Sequence, residues 1–325
     1  VSAGNESGTL SLLSARVPEA ATAGCRIWAV GGGKGGTGKS FITSSLGLTL
    51  SQLGHRVVVI DADFGGPNMH TFFGMKRQGP TLSDFFDRKR PLSELVVPTG
   101  HENLGVVSGD LNTLDSNNIT YTQKQKLFRH IRALPAQYVL IDLGSGATSN
   151  IIDTFLLADT KIVVIVPEVT ALENMFHFVK NVFFRQVRMS LPDGPQREAV
   201  ERIWRERDRH GFTDFRGLLD YLAAERPDIG HQLAGMMEGF AVNVVLNRVR
   251  KQRDVSVGTS VRSVLMKCLG FRAQYAGYVE YDESVMQATN DREPYLSRYG
   301  TSRCAFQLRR LNENLIHGLQ VRVGA

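Results

Sequence analysis

The ten residues GGGKGGTGKS at 31–40 restrict this chain more than any other segment. Six glycines in ten residues would weaken a helix or a strand, so the segment reads as a loop. It follows the apolar run IWAV (27–30) and precedes a helical segment, Ser40–Leu53. Gly33, four further residues, then Gly38-Lys39-Ser40 is the spacing of a phosphate-binding loop in its strand–loop–helix setting. Glycines let such a loop curl until its backbone N–H groups converge on phosphate oxygens, and the dipole of the following helix adds to the attraction. In that reading the loop from Gly33 to Phe41 holds the nucleotide, with Lys39 on the β/γ-phosphates and the Ser40 hydroxyl on Mg²⁺. The competing reading is a glycine-rich turn that binds nothing.

The rest of the chain supplies the fold such a loop requires. Short Val/Ile-rich runs recur at 57–61, 104–108, 138–142, 161–166, 240–247 and 273–279. They do not alternate, as expected of strands covered on both faces of a parallel sheet. Helical segments are expected between them, at Ser40–Leu53, Tyr121–Leu134, Leu172–Val187, Ser260–Leu269 and Thr301–Leu319. The spacing predicts a single doubly wound α/β domain over 25–325, with about 7–8 mainly parallel strands and helices on both faces. Residues 1–24, small and without a sustained period, read as a flexible tail with one helical turn near Leu10–Ser14. About 190–238 the strand rhythm stops. A turn at Asp193-Gly194-Pro195, an apolar stripe of Val200, Ile203 and Trp204, and a second one of Phe215, Leu218, Leu219 and Leu222 ending before Pro227 read as a helical insertion.

Composition excludes other classes. With 42% hydrophobic and 22% charged residues in 325, the chain can bury a core and is neither disordered nor fibrous. No apolar run approaches the roughly 20 residues that span a bilayer, and no basic-then-apolar signal opens the chain. Cys25, Cys268 and Cys304 are far apart and form no CxxC, which argues against a disulfide framework or a metal cluster and fits a reducing cytosol.

Two further motifs place carboxylates beside the loop. In VVVIDADFGGPN (57–68), Asp61 ends a strand and Asp63 stands two residues on, where open α/β sheets bind ligands. Asp61 can hold Mg²⁺ through water and Asp63 can orient the attacking water. In YVLIDLGSG (138–146), Asp142 has the form of a Walker-B aspartate supporting Mg²⁺, and Gly144-Ser145-Gly146 can bring backbone toward a γ-phosphate. The Asp61/Asp63 pair could instead merely cap its loop, and a lone aspartate after an apolar run, as at Asp142, is by itself a common and weak signal.

Lys34 gives these motifs a family likeness. A lysine five residues before Lys39, in KGGTGKS, followed by the two aspartate motifs, resembles the deviant P-loop of the MinD/ParA nucleotide-switch ATPases, and the likeness runs from about 25 to 318 outside the insertion. PEVTALENMF (167–176), Asn247-Arg248 and DESVMQATNDREPY (282–295) resemble further family segments. The Asp61 and Asp142 motifs look most like the MinD and FlhG branch, whose members regulate placement of division or flagellar machinery. The resemblance implies a homodimer with ATP and Mg²⁺ at its interface, Lys34 reaching the partner's phosphates, adenine recognised by Asn247 and Arg248, and slow hydrolysis tied to dimerisation. Expected as phosphate contacts are Gly33, Lys34, Gly35, Gly36, Thr37, Gly38, Lys39, Ser40, Phe41 and Gly146. Lys34, Lys39 and Asp63 are expected in catalysis, and Ser40, Asp61 and Asp142 at the metal.

Departures qualify the likeness. Glu280 stands where many relatives have proline near the adenine, and the insertion is longer than usual, which suggests contact with a partner or the neighbouring subunit. The last helix, with Phe306, Leu308, Leu311, Leu315 and Leu319, reads as core packing before membrane binding. The whole chain's surplus of +6 is matched by Arg248, Arg250, Lys251, Arg253, Arg262, Lys267 and Arg272 against Asp254 alone. That stretch could hold DNA non-specifically or an anionic membrane, or merely serve the nucleotide and a solvated helix. A ParA-type DNA-bound positioning ATPase is therefore the alternative to a MinD/FlhG-type regulator. A metal-cluster carrier would need paired cysteines, and a related tyrosine kinase a C-terminal tyrosine cluster. The protein is expected in the cytoplasm, at most peripheral at the inner face of the membrane or at a pole.

Overall fold

The computed structural model describes residues 24–64, 66–76, 79–87, 89–110, 120–191 and 194–321. The tail read over 1–24, with its turn near Leu10–Ser14, lies outside these residues except for Gly24. Eight strands form one sheet: β1 (Arg26–Gly31), β2 (Val57–Ala62), β3 (Val97–Pro98), β4 (Leu104–Val107), β5 (Tyr138–Leu143), β6 (Thr160–Ile165), β7 (Ala241–Val249) and β8 (Arg272–Glu280). Their spatial order is β3-β4-β2-β5-β1-β6-β7-β8. All neighbours run parallel except β3, a two-residue edge antiparallel to β4. Each predicted apolar run falls on a strand, with Ser108, Val166 and Phe240 just outside theirs.

The unbroken hydrophobicity of those runs has a simple cause. Side chains of a strand alternate between faces, and here both faces are covered. Ile27 and Ala29 of β1 enter one core while Trp28 and Val30 enter the other.

Thirteen α-helices are described: α1 (Lys39–Gln52), α2 (Met69–Phe72), α3 (Leu82–Phe86), α4 (Tyr121–Arg132), α5 (Ser149–Leu157), α6 (Val169–Ser190), α7 (Pro195–Arg205), α8 (Phe215–Glu225), α9 (Pro227–Gly239), α10 (Ser256–Leu269), α11 (Ser284–Asn290), α12 (Tyr295–Arg298) and α13 (Arg303–His317). Leu46 of α1, Met69 of α2 and Leu308 of α13 pack with Trp28, whereas Leu127 of α4, Phe155 of α5, Phe178 of α6 and Leu265 of α10 pack on the opposite face. On α13 the face with Leu308, Leu311 and Leu315 is buried and Phe306 is exposed, while Leu319, expected in this helix, lies beyond its end at His317 and is exposed.

Between α6 and β7 lie three helices, one more than the apolar stripes indicate. Pro227 was expected only to stop α8. It also opens α9 as its first residue, where a missing N–H costs nothing. These helices are tied to the domain by aromatic packing. Phe215 stacks flat on Trp204 at 4.3 Å and meets Phe183 and Phe184 of α6 at 4.4 and 4.5 Å.

Candidate functional site

The site lies at the carboxyl ends of the parallel strands. β1 runs into the glycine loop, β2 ends at Asp61 and Ala62, and β5 brings Asp142 level with Asp61 in strand register. This is the crevice where open α/β sheets hold ligands.

Close approach explains two of the loop glycines. A Cβ on Gly33 would run into the Asn174 carbonyl of α6. Gly38 has φ 89°, the left-handed region, and a Cβ there would strike the Asn247 amide. The loop is thus wedged between α6 and β7, and α1 begins at Lys39 immediately behind it.

Lys39 is buried at the start of α1, with its ammonium 3.3 Å from the Lys34 carbonyl. Burial lowers its pKa, opposed by the charges of Asp142 and Asp63. The Thr37 hydroxyl is also buried and finds no hydrogen-bond partner among the described residues. A buried cation and an orphaned hydroxyl in a curled glycine loop fit an anionic phosphate group.

Below the loop sit two buried carboxylates. Ser40 Oγ donates to Asp142 at 2.6 Å, and Thr43 Oγ1 lies 3.0 Å from the other Asp142 oxygen. Burial pushes Asp142 up to about 7, with the Asp61 charge adding and the Ser40 and Thr43 hydrogen bonds opposing. Asp61 is pushed up to about 6 by burial, although the N–H groups of Met69, Asp63 and Asn68 favour its ionised form. Those three amides, at 2.9, 3.1 and 2.8 Å, show that Asp61 also pins the loop that follows it. Two desolvated carboxylates beside a hydroxyl fit a hard divalent cation that keeps part of its water shell.

Asp63 projects over the β5 loop, where a Cβ on Gly144 would lie 3.1 Å from its carboxylate oxygen. Gly146, at φ 97°, closes that loop. Ser145 faces Gly35, whose Cβ would lie 3.7 Å from it. Asn247 is buried and donates to the Thr37 carbonyl at 2.8 Å while accepting from the Arg248 N–H at 2.9 Å. It therefore braces the glycine loop. Arg248, at φ 57°, lines a cleft of about 480 Å³ with Gly38, Phe41, Arg250 and Tyr281. The Arg250 guanidinium lies 3.6 Å over the Tyr281 ring, and Glu280 at the same cleft pairs with Arg303 at 3.0 Å.

Lys34 takes a different course from Lys39. Its ammonium leaves the loop and binds Glu168 at 3.0 Å and the Thr170 hydroxyl at 2.9 Å, both in the segment after β6. The geometry thus brings together the loop from Gly33 to Phe41, Asp61, Asp63, Asp142, the Gly146 loop and Asn247. Three contributors were not singled out in the sequence. Glu168 and Thr170 lay in the PEVT segment, whose family likeness was a usable signal; Thr43, a threonine inside a helix, offered none.

In the basic stretch 248–272, Arg248, Arg250, Lys251, Arg253 and Lys267 are exposed. Arg248 and Arg250 line the cleft, Arg262 holds the Ala273 carbonyl at 3.1 Å, and Arg272 holds that of Glu238. Among the described residues there is no group of three or more His, Cys, Asp and Glu able to hold a metal ion. Burial raises the Cys25 thiol to about 11 and the Cys304 thiol to about 12. No helix among the described residues is long and apolar enough to cross a membrane.

The profile of the CobQ/CobB/MinD/ParA nucleotide binding domain matches residues 28–295. A putative septum site-determining protein MinD of Chlorella vulgaris is 30% identical over 151 residues, 46% of this chain and 53% of that protein. The septum site-determining protein MinD of Helicobacter pylori is 34% identical over 150 residues, 44% of this chain and 53% of that protein. The matches thus span about half the length of these curated relatives. The solved septum site-determining protein MinD of Pyrococcus horikoshii, complexed with Mg-ADP, superposes with a TM-score of 0.60 over 92% of this chain and 100% of that one. At 19% identity this is a likeness of fold.

Proposed function

Since this chain belongs to the CobQ/CobB/MinD/ParA nucleotide-binding family, we propose that it is a Mg²⁺-dependent ATPase of the MinD/ParA type. It is a dimeric switch that governs the placement or number of a cellular structure. The carrying observation is the convergence of the buried Lys39, the orphaned Thr37 hydroxyl and the Ser40–Asp142–Asp61 group at one strand-end crevice.

Each residue has a task that follows from its surroundings. The curled backbone of 33–38 and the Lys39 ammonium hold the phosphates, where burial strengthens the attraction. Ser40, Asp142 and, through water, Asp61 would hold Mg²⁺, which neutralises phosphate charge when bound. Asp63, above the Gly144 loop, orients the attacking water. The cleft at Arg248 and Arg250 receives the base. Lys34 turns away from its own loop, which supports a role on the partner's triphosphate, so that hydrolysis waits for assembly. The insertion at 190–238 contacts a partner. The protein works in the cytoplasm or peripherally at the membrane or a pole.

A fluorescent ATP analogue tests the core of this reading. The wild type is expected to bind it with Mg²⁺, and Lys39→Ala to lose binding at least tenfold with an unchanged circular dichroism spectrum. Equal affinity of the two proteins would refute the assignment of the loop.

A further inference from the structure

The insertion carries an apolar groove with a cationic rim. It lies where the last turns of α6 meet α7 and has a volume of about 390 Å³. Phe184, Val187, Leu191, Val200 and Trp204 line it. Val187, Leu191 and Val200 are buried, while Phe184 and Trp204 are half-buried and keep an open edge. Trp204 is held rigidly. Phe215 stacks on it at 4.3 Å, and Phe184 meets it edge-on at 5.2 Å.

Charge around the groove is one-sided. Arg188, Arg197 and Arg205 line it, and Lys180 and Arg207 stand 6.0 and 5.2 Å from the centre of the Trp204 ring. Glu201 is the one carboxylate among the described lining residues, and Arg188 engages it at 3.3 Å. Arg197 holds the Arg188 and Leu191 carbonyls at the end of α6, which fixes the groove's floor. Arg188 and Arg205 are exposed.

A rigid aromatic slot with basic residues around it is the layout of an interface anchor point: the apolar centre supplies affinity, and the charged rim supplies selection and encounter rate. A bilayer would need the reverse shape, because apolar faces enter the headgroup region by protruding. We propose that this groove docks an acidic segment of a protein partner, which lays a large apolar side chain against Trp204 and sets carboxylates opposite Arg188 and Arg205. The proposal deepens the partner role given to the insertion and rests on it, but not on the nucleotide site. ATP turnover of the same variants keeps the two apart.

Intrinsic fluorescence reads the groove directly. The chain has two tryptophans, and Trp28 is 1% exposed inside the sheet core, so an emission change on ligand addition reports Trp204. The probe is a synthetic amphipathic peptide with leucines at i and i+4 flanked by glutamates. Its controls are the same peptide with lysines for glutamates and vesicles of anionic phospholipid. The acidic peptide is expected to shift emission saturably and to bind more weakly as salt is added. The basic peptide and the vesicles are expected to do nothing. In Arg188→Glu/Arg205→Glu, affinity for the acidic peptide should fall at least tenfold while ATP turnover is unchanged. The idea is overturned by no saturable shift, by equal binding of both peptides, by unaltered affinity in the double variant, or by a response to vesicles in place of the peptide.

Discussion

Two lysines five residues apart meet opposite fates in this loop, and the difference lies in what surrounds each. Lys39 is buried against its own backbone near two carboxylates, whereas Lys34 is partly exposed and clasped by Glu168 and Thr170. A side chain held off its own loop contributes little to binding in one chain. Lys34→Ala is therefore expected to bind the ATP analogue within about threefold of wild type, yet to lose at least tenfold in turnover; turnover equal to wild type would remove the lysine from catalysis. The aspartates make a second prediction at this scale. Burial raises the folded pKa of Asp61 to about 6 and of Asp142 to about 7, from 3.8. Their contribution to the stability of the nucleotide-free protein is present below about pH 4 and is lost as pH rises through those folded values. The metal binding proposed for them needs both ionised. Near pH 6.5, Mg²⁺-nucleotide binding should release protons; at pH 8.5 it should release almost none. Calorimetry in buffers of different ionisation enthalpy measures this, and Asp142→Asn should shrink the release.

At the scale of elements, the parts legible in the sequence were those whose signal is local. A strand buried on both faces writes itself as a run such as VVVI (57–60), and the glycine loop declares its own strand and helix. α9 was missed because proline is both a helix stop and a good first residue, and sequence alone does not separate the two. β3 was missed because a two-residue edge strand has no period to read. Contacts between elements carried least signal. That Thr43 of α1 meets Asp142 of β5 depends on where α1 crosses the sheet, and no spacing encodes that. One such contact is unfavourable. Tyr275 of β8 is buried with a hydroxyl that has no hydrogen-bond partner among the described residues, and it fills the space beside Gly258 of α10. An unsatisfied buried donor costs about 1–3 kcal/mol. Tyr275→Phe keeps the ring and removes the orphan, so it should raise stability by about 1 kcal/mol, seen as a higher denaturant midpoint with unchanged slope. A lowered midpoint would mean the hydroxyl has a partner in solution.

For the whole molecule, the proposed function makes one chain an incomplete catalyst. Its loop can hold phosphates, its carboxylates can hold a cation, and Asp63 can hold a water, but the Lys34 ammonium is committed to Glu168 and Thr170 of the same chain. In the proposed function, completing the charge around a cleaving triphosphate takes Lys34 of a second copy, once it lets go of its own Glu168 and Thr170. On that proposal, self-association and hydrolysis are a single event, limited by how often two loaded chains meet. Specific turnover should therefore rise with protein concentration and level off once the dimer is saturated. Removing Asp63 leaves the phosphate and metal groups intact while taking away the acceptor proposed for the water, so loaded Asp63→Ala chains should pair and stay paired. Sedimentation velocity at one protein concentration should show Asp63→Ala as a dimer with Mg²⁺ and ATP, and as a monomer with ADP or with no nucleotide. Wild type should pass through the dimer only while ATP lasts. A variant that stays monomeric with ATP, or turnover independent of concentration, would mean that each chain cleaves alone and that the exit of Lys34 from its own loop serves only to hold Glu168 and Thr170 in place.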